Sequence, residues 1–347
     1  MLQYVHIDEK MFQLTKAYES YYMLPNEEVP HRHTTHKCYI TKVMFIAAVA
    51  RPRYDYNKGC WFNGLIGIWP FTYRTPAIRN SKLRPAGTME TKATGSIDRH
   101  VYKEYVLNKV LPAIMERWPK QEKKNPIYVQ EDNCRIHVRS TRVEVKKAAK
   151  KKGFKIEVRP QPASSPDLNI LDLGFFNAIQ ALKDKESCKD VDALVGAVER
   201  AYWNQPKETL DNVFLSLQMV MQESLRVDGG NNYKLKHMGK AKLRKAGLCP
   251  TSINCDPELI IRGKKVLKDA EVAAAAEAAK EAALAAEAAK KKLRKKAAPR
   301  KKAVPKKKAA PMKKAVPKKK AVAAKPTSGW KRKAAPVKST NDRRKQL

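Results

Sequence analysis

Three aspartates in this sequence stand where acidic side chains could do chemistry together. Asp8 ends the first predicted strand, Asp132 ends a later strand, and Asp172 lies in the first turn of the helix after the last strand. Carboxylates that converge from separate elements repel one another, and a shared divalent cation relieves that repulsion. Two such cations ~3.5–4 Å apart can hold the attacking and the leaving oxygen of a phosphodiester. The three residues therefore predict a metal-dependent site acting on phosphodiesters.

The elements that must position these residues follow from hydrophobic periodicity and turn residues. Apolar, β-branched runs predict strands, and apolar residues spaced three and four apart predict helices. The predicted order is strand, strand, strand, helix, strand, helix, strand, helix, over residues 4–7, 38–50, 64–71, 97–118, 126–130, 141–152, 154–158 and 169–182, with two further helices over 191–203 and 209–225. This order predicts an α/β fold with a ribonuclease-H-like mixed sheet flanked by helices, in which the three aspartates meet at one sheet edge.

Each aspartate alone also has an ordinary structural explanation. Asp8 could be a solvated strand-end carboxylate, Asp132 a turn residue, and Asp172 a first-turn acid favoured by the helix dipole. It is their common order and spacing that favours a shared site over three separate roles.

Several motifs around the aspartates resemble those of one known family. They are residues 6–10 (HIDEK), 41–45 (TKVMF), 67–70 (GIWP), 129–137 (VQEDNCRIH), 161–176 (QPASSPDLNILDLGFF) and 229–233 (GGNNY). Thirty-nine residues separate Asp132 from Asp172. With these motifs, the chain over about residues 4–255 resembles the DDE-type transposases of the mariner superfamily, especially the plant-like branch with a three-aspartate triad.

The resemblance implies a ribonuclease-H-like fold and a DNA strand cleavage and transfer activity that uses Mg²⁺ or Mn²⁺, with two metal ions expected. By position, it makes Asp8, Asp132 and Asp172 both the catalytic residues and the metal ligands. Asn133 and His137 match family positions beside the site, where they would support the ligands or contact DNA.

The sequence departs from the family pattern in two places. Cys134 and Ile136 stand where alanine and proline are usual. Only seven residues precede Asp8, whereas family members carry helix-turn-helix domains that read the terminal repeats of the element. We therefore expect sequence-specific DNA binding to be absent, and a truncated transposon copy remains an open interpretation.

The charge of the chain is concentrated near its C-terminus. The 347 residues carry a formal net charge of +38, and residues 263–347 hold 29 basic and 6 acidic residues. A repeat of period six, A-[AV]-P-x-K-K, places prolines at 299, 305, 311 and 317, which prevents a continuous helix. This basic tail resembles that of a linker histone in composition, and we expect it to be disordered and to bind nucleic acid without base readout. The residues assigned to that binding are Lys306, Lys307, Lys308, Lys318, Lys319 and Lys320.

These differences in residue composition along the chain predict four regions. Residues 1–185 are the ribonuclease-H-like catalytic core, and residues 186–262 are its helical C-terminal extension. Residues 263–298 form an Ala/Glu/Lys-rich helical spacer, and residues 299–347 form the disordered Lys/Ala/Pro-rich tail.

Other features of the sequence disfavour a membrane protein, a disulfide framework and a zinc site. The longest apolar run, residues 43–50, is far short of a membrane span, so no membrane role is expected. The six cysteines form no C-x-x-C pair, which disfavours a disulfide framework. The segment HRHTTHKC, with His31, His33, His36 and Cys38, matches no standard zinc spacing, so a polar loop is favoured.

Two functional hypotheses from different classes follow. The first is a transposase-like enzyme whose tail adds non-specific nucleic-acid binding. The alternative is a catalytically inactive, transposon-derived protein that binds DNA or chromatin. Both predict DNA as the partner and a nuclear location, with basic clusters at 290–296 and 331–333 as import signals. A homodimer is open under either hypothesis.

Overall fold

A computed structural model describes residues 1–16, 23–28, 37–81 and 84–297. The chain divides into two units, Met1–Ala279 and Lys280–Leu347. The strands are β1 (Tyr4–Gln13), β2 (Lys42–Ala50), β3 (Arg53–Asp55), β4 (Cys60–Phe62), β5 (Leu65–Pro70), β6 (Thr72–Pro76), β7 (Met89–Ala93), β8 (Ile127–Glu131) and β9 (Ile156–Pro160). The helices are α1 (Arg99–Tyr105), α2 (Leu111–Arg117), α3 (Arg139–Lys151), α4 (Phe176–Lys183), α5 (Val191–Trp203), α6 (Lys207–Arg226), α7 (Lys240–Lys245) and α8 (Pro257–Ala297).

Five strands form one mixed sheet in the order β5-β2-β1-β8-β9. β2 runs antiparallel to both β1 and β5, whereas β8 runs parallel to both β1 and β9. This strand order and these directions are ribonuclease-H-like, and the predicted fold class is confirmed.

Helices cover both faces of the sheet because the central strands are apolar on both sides. Side chains alternate along β2, so Phe45, Ala47 and Val49 belong to one core, which they share with residues of α4, α5 and α6. Ile46 and Ala48 point to the other face and pack with residues of α1, α2 and α3. The unbroken apolar run of β2 is thus explained by burial from both sides.

The structure differs from the sequence prediction in β1 and in two hairpins. β1 continues to Gln13 through antiparallel pairing with β2, so the prediction that Asp8 ends this strand is wrong. The basic, turn-rich stretch after β5 forms a hairpin of β6 and β7, and β3 pairs with β4 in a second one. β6 and β7 are mostly polar, and β3 and β4 have only three residues each, so neither hairpin has the apolar runs that predicted the other strands.

Helix predictions came closer to the structure. α5 has the predicted bounds, and the helix predicted over 97–118 is observed as α1 and α2 joined by a π-helical turn, Val106–Val110. α8 begins at Pro257. The tail from residue 298 onward, including its six assigned lysines and its predicted disorder, lies outside the described residues. Within the described residues no helix is long and apolar enough to span a membrane.

A buried tyrosine of α5 fixes the junction between β2 and β5. The pairing register shifts between Ala48 and Val49, which leaves backbone groups near the irregularity without ladder partners. The Tyr202 hydroxyl donates to the Ala48 carbonyl at 2.7 Å and accepts from the Gly67 N–H at 2.9 Å. Tyr202 is fully buried, and burial raises the pKa of its hydroxyl, which therefore stays neutral.

We expect Tyr202→Phe to lower the free energy of unfolding by about 1–3 kcal/mol, because both backbone groups lose their partner in a dry interior. Urea denaturation measures this loss. Tyr73→Phe is the matched control, since the Tyr73 side chain is exposed on β6. Equal stabilities for the two variants would contradict the role assigned to the Tyr202 hydroxyl.

Candidate active site

Asp8 lies on β1 beside the end of β8. Its backbone pairs with Ala47 of β2, whereas the parallel pairing of β1 with β8 stops at His6. Asp8 therefore lies just beyond the part of β1 that pairs with β8, although it is still inside β1. Its side chain is only 9% exposed.

Asn169 ties Asp8 to the segment that carries Asp172. Its Nδ2 donates to Asp8 Oδ2 and to the Ile7 carbonyl, both at 3.1 Å, and its Oδ1 accepts from the Leu171 N–H at 3.1 Å. Asn169 is fully buried. Asn169 belongs to the motif at residues 161–176 but had no predicted role, and its position between the apolar Leu168 and Ile170 was the available signal.

Asp172 completes a pair of carboxyl groups with Asp8. It lies in a π-helical turn, Leu171–Phe175, just before α4, and is itself exposed. Burial raises the pKa of Asp8, the negative charge of Asp172 and then that of Glu9 raise it further, and together they bring it to about 8. The Glu9 N–H, which donates to Asp8 Oδ1 at 2.8 Å, opposes this rise only in part. The negative charge of the Asp8–Asp172 pair is thus not fully compensated by its surroundings.

Asp132 is the first residue after β8, as predicted, but its carboxylate is engaged elsewhere. Its Oδ1 accepts from the Cys134 N–H at 2.8 Å and lies 2.7 Å from His137 Nδ1. In the part of the chain that the structure describes, no three His, Cys, Asp or Glu side chains are grouped closely enough to hold a metal ion. The structure therefore brings Asp8 and Asp172 together and directs Asp132 toward His137.

His137 links Asp132 to β1. Its side chain is buried, its ring stacks on Tyr102 with centroids 4.1 Å apart, and its Nε2 lies 3.6 Å from Glu9 Oε2. Burial lowers the pKa of His137, but the adjacent Glu9 and Glu131 carboxylates and the backbone of Asp132 outweigh it and raise the pKa to about 9. His137 is therefore a cation at neutral pH, held between Glu9 and Asp132.

Two further residues, Asn133 and Glu131, support the loop after β8. Asn133 Nδ2 donates to the Gln161 carbonyl at 2.6 Å, which connects this loop to the segment following β9. Glu131 is buried and accepts from the Tyr102 hydroxyl at 2.9 Å and from Arg142 Nε at 2.6 Å. The role of Glu131 was not predicted, because a carboxylate at a strand end gives no sign in the sequence that it will be buried and paired with an arginine.

The motif at residues 229–233 reaches the loop that precedes Asp172. Asn231 Nδ2 donates to the Ser164 carbonyl at 2.6 Å, and the Tyr233 hydroxyl donates to Asp167 Oδ2 at 3.2 Å. Ser164 has a positive φ of 53°, so an unusual backbone conformation is supported by a distant segment. The histidines of the HRHTTHKC segment lie outside the described residues, and Cys38 is exposed.

Comparison with known proteins finds similarity only among solved structures. No family model matches the chain, and no curated protein matches it significantly. The Mos1 mariner paired-end complex with Mn matches with a TM-score of 0.45 and 15% identity, over 67% of this chain and 57% of that chain. The pre-cleavage Mos1 transpososome matches at 0.43 and 15%, over 62% and 53%.

The catalytic domain of Mos1 mariner transposase matches with a TM-score of 0.42 and 14% identity, over 67% of this chain and 85% of that chain. The chain thus spans little more than half the length of the Mos1 chains in the two complexes. At these identities and TM-scores, the similarities carry no functional conclusion for this chain.

We expect Asp8→Asn to stabilise the protein in the absence of divalent cations. The folded state binds a proton at Asp8 more tightly than the unfolded chain does, so protonation of Asp8 stabilises the fold at low pH. This stabilisation is lost as pH rises from about 4 to about 8. The variant removes that loss and should be more stable than wild type at pH 8 by roughly 0.5–2 kcal/mol.

Thermal unfolding across this pH range with a chelator present measures the difference. Asp192→Asn serves as the control, because Asp192 is exposed on α5. An unchanged pH dependence in Asp8→Asn would show that the Asp8 carboxyl is not perturbed by its surroundings.

Proposed function

We propose that this chain is a mariner-like DDE transposase catalytic domain that cleaves and transfers DNA strands with the help of a divalent cation. The observation that carries the proposal is the carboxyl pair formed by the buried Asp8 and the exposed Asp172 at a ribonuclease-H-like sheet, with Asp132 directly after the neighbouring strand β8. An arrangement of like charges that lacks a cation is unfavourable for stability and is typical of a functional site.

The donor set suits Mg²⁺ or Mn²⁺, since hard divalent cations prefer carboxylate oxygens. Asp8 and Asp172 would hold the cation. Asp132 would join them by turning from His137, and because its side chain is 39% exposed, it has room to do so. When bound, such a cation activates a water or hydroxyl nucleophile and neutralises charge on the phosphate, and a two-ion site is expected.

The chain's own residues would prepare this chemistry by holding the carboxylates in place. Asn169 orients Asp8 and anchors the segment before Asp172. The His137 cation orients Asp132, and Asn133 fixes the loop between them. Because residues that orient metal ligands set their geometry, we assign Asn133, His137 and Asn169 a positioning role.

DNA is the proposed partner, with chromatin as a further one, and a nuclear location is proposed from the basic clusters of the sequence. We assign non-specific binding to the tail lysines at 306–308 and 318–320, because like-charged runs bind phosphates by releasing counterions. The four regions predicted from the sequence remain the proposed domain organisation.

We expect the full-length protein to nick supercoiled plasmid DNA in Mg²⁺ or Mn²⁺. Asp132→Ala and Asp172→Ala should each reduce the rate on the order of a hundredfold or more, since even residues that only orient metal ligands contribute 10–100-fold. Asp192→Ala is the matched control, because Asp192, like Asp172, is an exposed acid in the first turn of a helix. Gel electrophoresis of nicked products measures the rates.

Equal nicking by wild type and Asp132→Ala would refute the enzymatic proposal. The chain would then be better described by the alternative, an inactive transposon-derived protein that binds DNA or chromatin on the same scaffold.

We also expect Mn²⁺ to stabilise the folded protein without any DNA present. A ligand that binds only the folded state contributes about 2.7 kcal/mol at a concentration of a hundred times its Kd. Thermal unfolding with and without Mn²⁺ should show this shift for wild type and for Asp192→Asn but not for Asp8→Asn. A shift of equal size in all three proteins would place the cation somewhere other than the Asp8–Asp172 pair.

A further inference from the structure

The solvent-facing side of α3 and the turn that follows it carry mostly cations, with Ser140 and Val143 also exposed. Residues 139–155 contain eight basic residues and one acidic residue, Glu144. The helix buries a narrow stripe, Thr141, Val145 and Ala149, against the core. The six lysines of this region are all exposed: Lys146, Lys147, Lys150, Lys151, Lys152 and Lys155.

Few acidic groups neutralise this charge. Glu144 pairs with Lys103 at 2.7 Å, outside the helix, and Arg142 is used by the buried Glu131. Lys146 lies 3.7 Å from Glu157, with both side chains largely in solvent, so that pair contributes little. Within the described residues, the other five exposed lysines form no ion pair.

A neighbouring turn extends the same surface. Lys123 Nζ lies 4.7 Å from the centre of the Phe154 ring, and the Ile127 N–H donates to the Lys155 carbonyl at 2.8 Å. These contacts place the exposed Lys123 and Lys124 next to the turn after α3. Lys146, Lys150 and Lys155 also rim a hollow of about 450 Å³ floored by Phe154 and Ile156. We call the exposed lysines of 123–124 and 146–155 the α3 surface.

Helix stability alone does not explain this surface. Cations in the last turn interact favourably with the negative end of the helix dipole, which accounts for Lys150 and Lys151. The effect falls off within one turn, so it does not account for Lys146 and Lys147, or for Lys123 and Lys124 on a different segment. Like charges this dense repel one another unless a polyanion covers them.

We propose that the α3 surface binds the phosphate backbone of duplex DNA without reading its sequence. The choice of DNA as the polyanion rests on the proposed function. The positive charge of the surface is an observation that holds whether or not the proposed function is correct. α3 has 13 residues and is about 20 Å long, which corresponds to about six base-pair steps of ~3.4 Å. Lysines act as point charges on flexible stems, which suits phosphate contacts rather than base recognition.

The position of the surface gives it a role in the proposed reaction. α3 begins directly after the loop that carries Asp132 and His137. DNA held along α3 would therefore lead toward the carboxylates, and this contact belongs to the folded core and is separate from that of the tail.

Lysine acylation of the full-length wild-type protein tests the proposal, with and without a short duplex of mixed sequence. Mass spectrometry reads each lysine. We expect DNA to protect Lys147, Lys150, Lys151 and Lys152, and to leave the exposed Lys58, Lys185 and Lys189 as reactive as before. Protection confined to the tail lysines would overturn the proposal. So would protection of the α3 surface by phosphatidylserine vesicles but not by DNA.

A charge-matched pair of variants gives a second, independent measurement. Lys147→Gln/Lys150→Gln/Lys151→Gln should make the slope of log K against log salt shallower by about 2.7, from three phosphate contacts at about 0.9 each. Lys58→Gln/Lys185→Gln/Lys189→Gln, which loses the same charge, should keep the wild-type slope. Equal slopes for the two triple variants would overturn the proposal. Neither measurement requires nicking activity, so loss of the enzymatic proposal and loss of this one are distinguishable.

Discussion

The repulsion between the Asp8 and Asp172 carboxyl groups is the constraint on which the candidate site depends. One carboxyl is buried on the central strand of the sheet and the other stands at the start of a helix, so the fold itself forces them together. Hydrogen bonds from Asn169 and from the Glu9 N–H hold Asp8 in place but do not neutralise it. A site built in this way is less stable without a proton or a cation than with one, and its pH dependence follows from that fact.

The charged groups around this pair have partners of opposite charge, unlike the pair itself. Glu131 is as buried as Asp8, yet Arg142 and Tyr102 satisfy it, and His137 lies as a cation between Glu9 and Asp132. Buried charges with partners stabilise a local geometry, whereas buried charges without partners remain available for a ligand. The comparison therefore separates Glu131, which shapes the site, from Asp8, which lacks a cationic partner and would act in it.

The positive charge of the molecule is likewise divided between two kinds of surface. In the core it is concentrated on α3, where a rigid helix spaces the lysines at fixed intervals, while in the sequence of the tail it follows a repeat of six residues. As proposed, the α3 surface would favour DNA in one orientation, because its helical lysines are spaced by a rigid helix.

The sequence by itself determined the fold class, most helices and the order of the three aspartates, because these depend on long apolar runs and on spacing along the chain. β2 and α5 are the clearest cases, since each is specified by its own residues. The extension of β1 past Asp8 was missed because it depends on pairing with β2, and the two hairpins were missed because their short strands lack an apolar run. Only the tertiary structure decided that Asn169 would hold Asp8, because the two residues are far apart in sequence. It also decided that Glu131 would be neutralised and that Asp132 would face His137, because these nearby pairs depend on how Tyr102 and Glu9 pack against them.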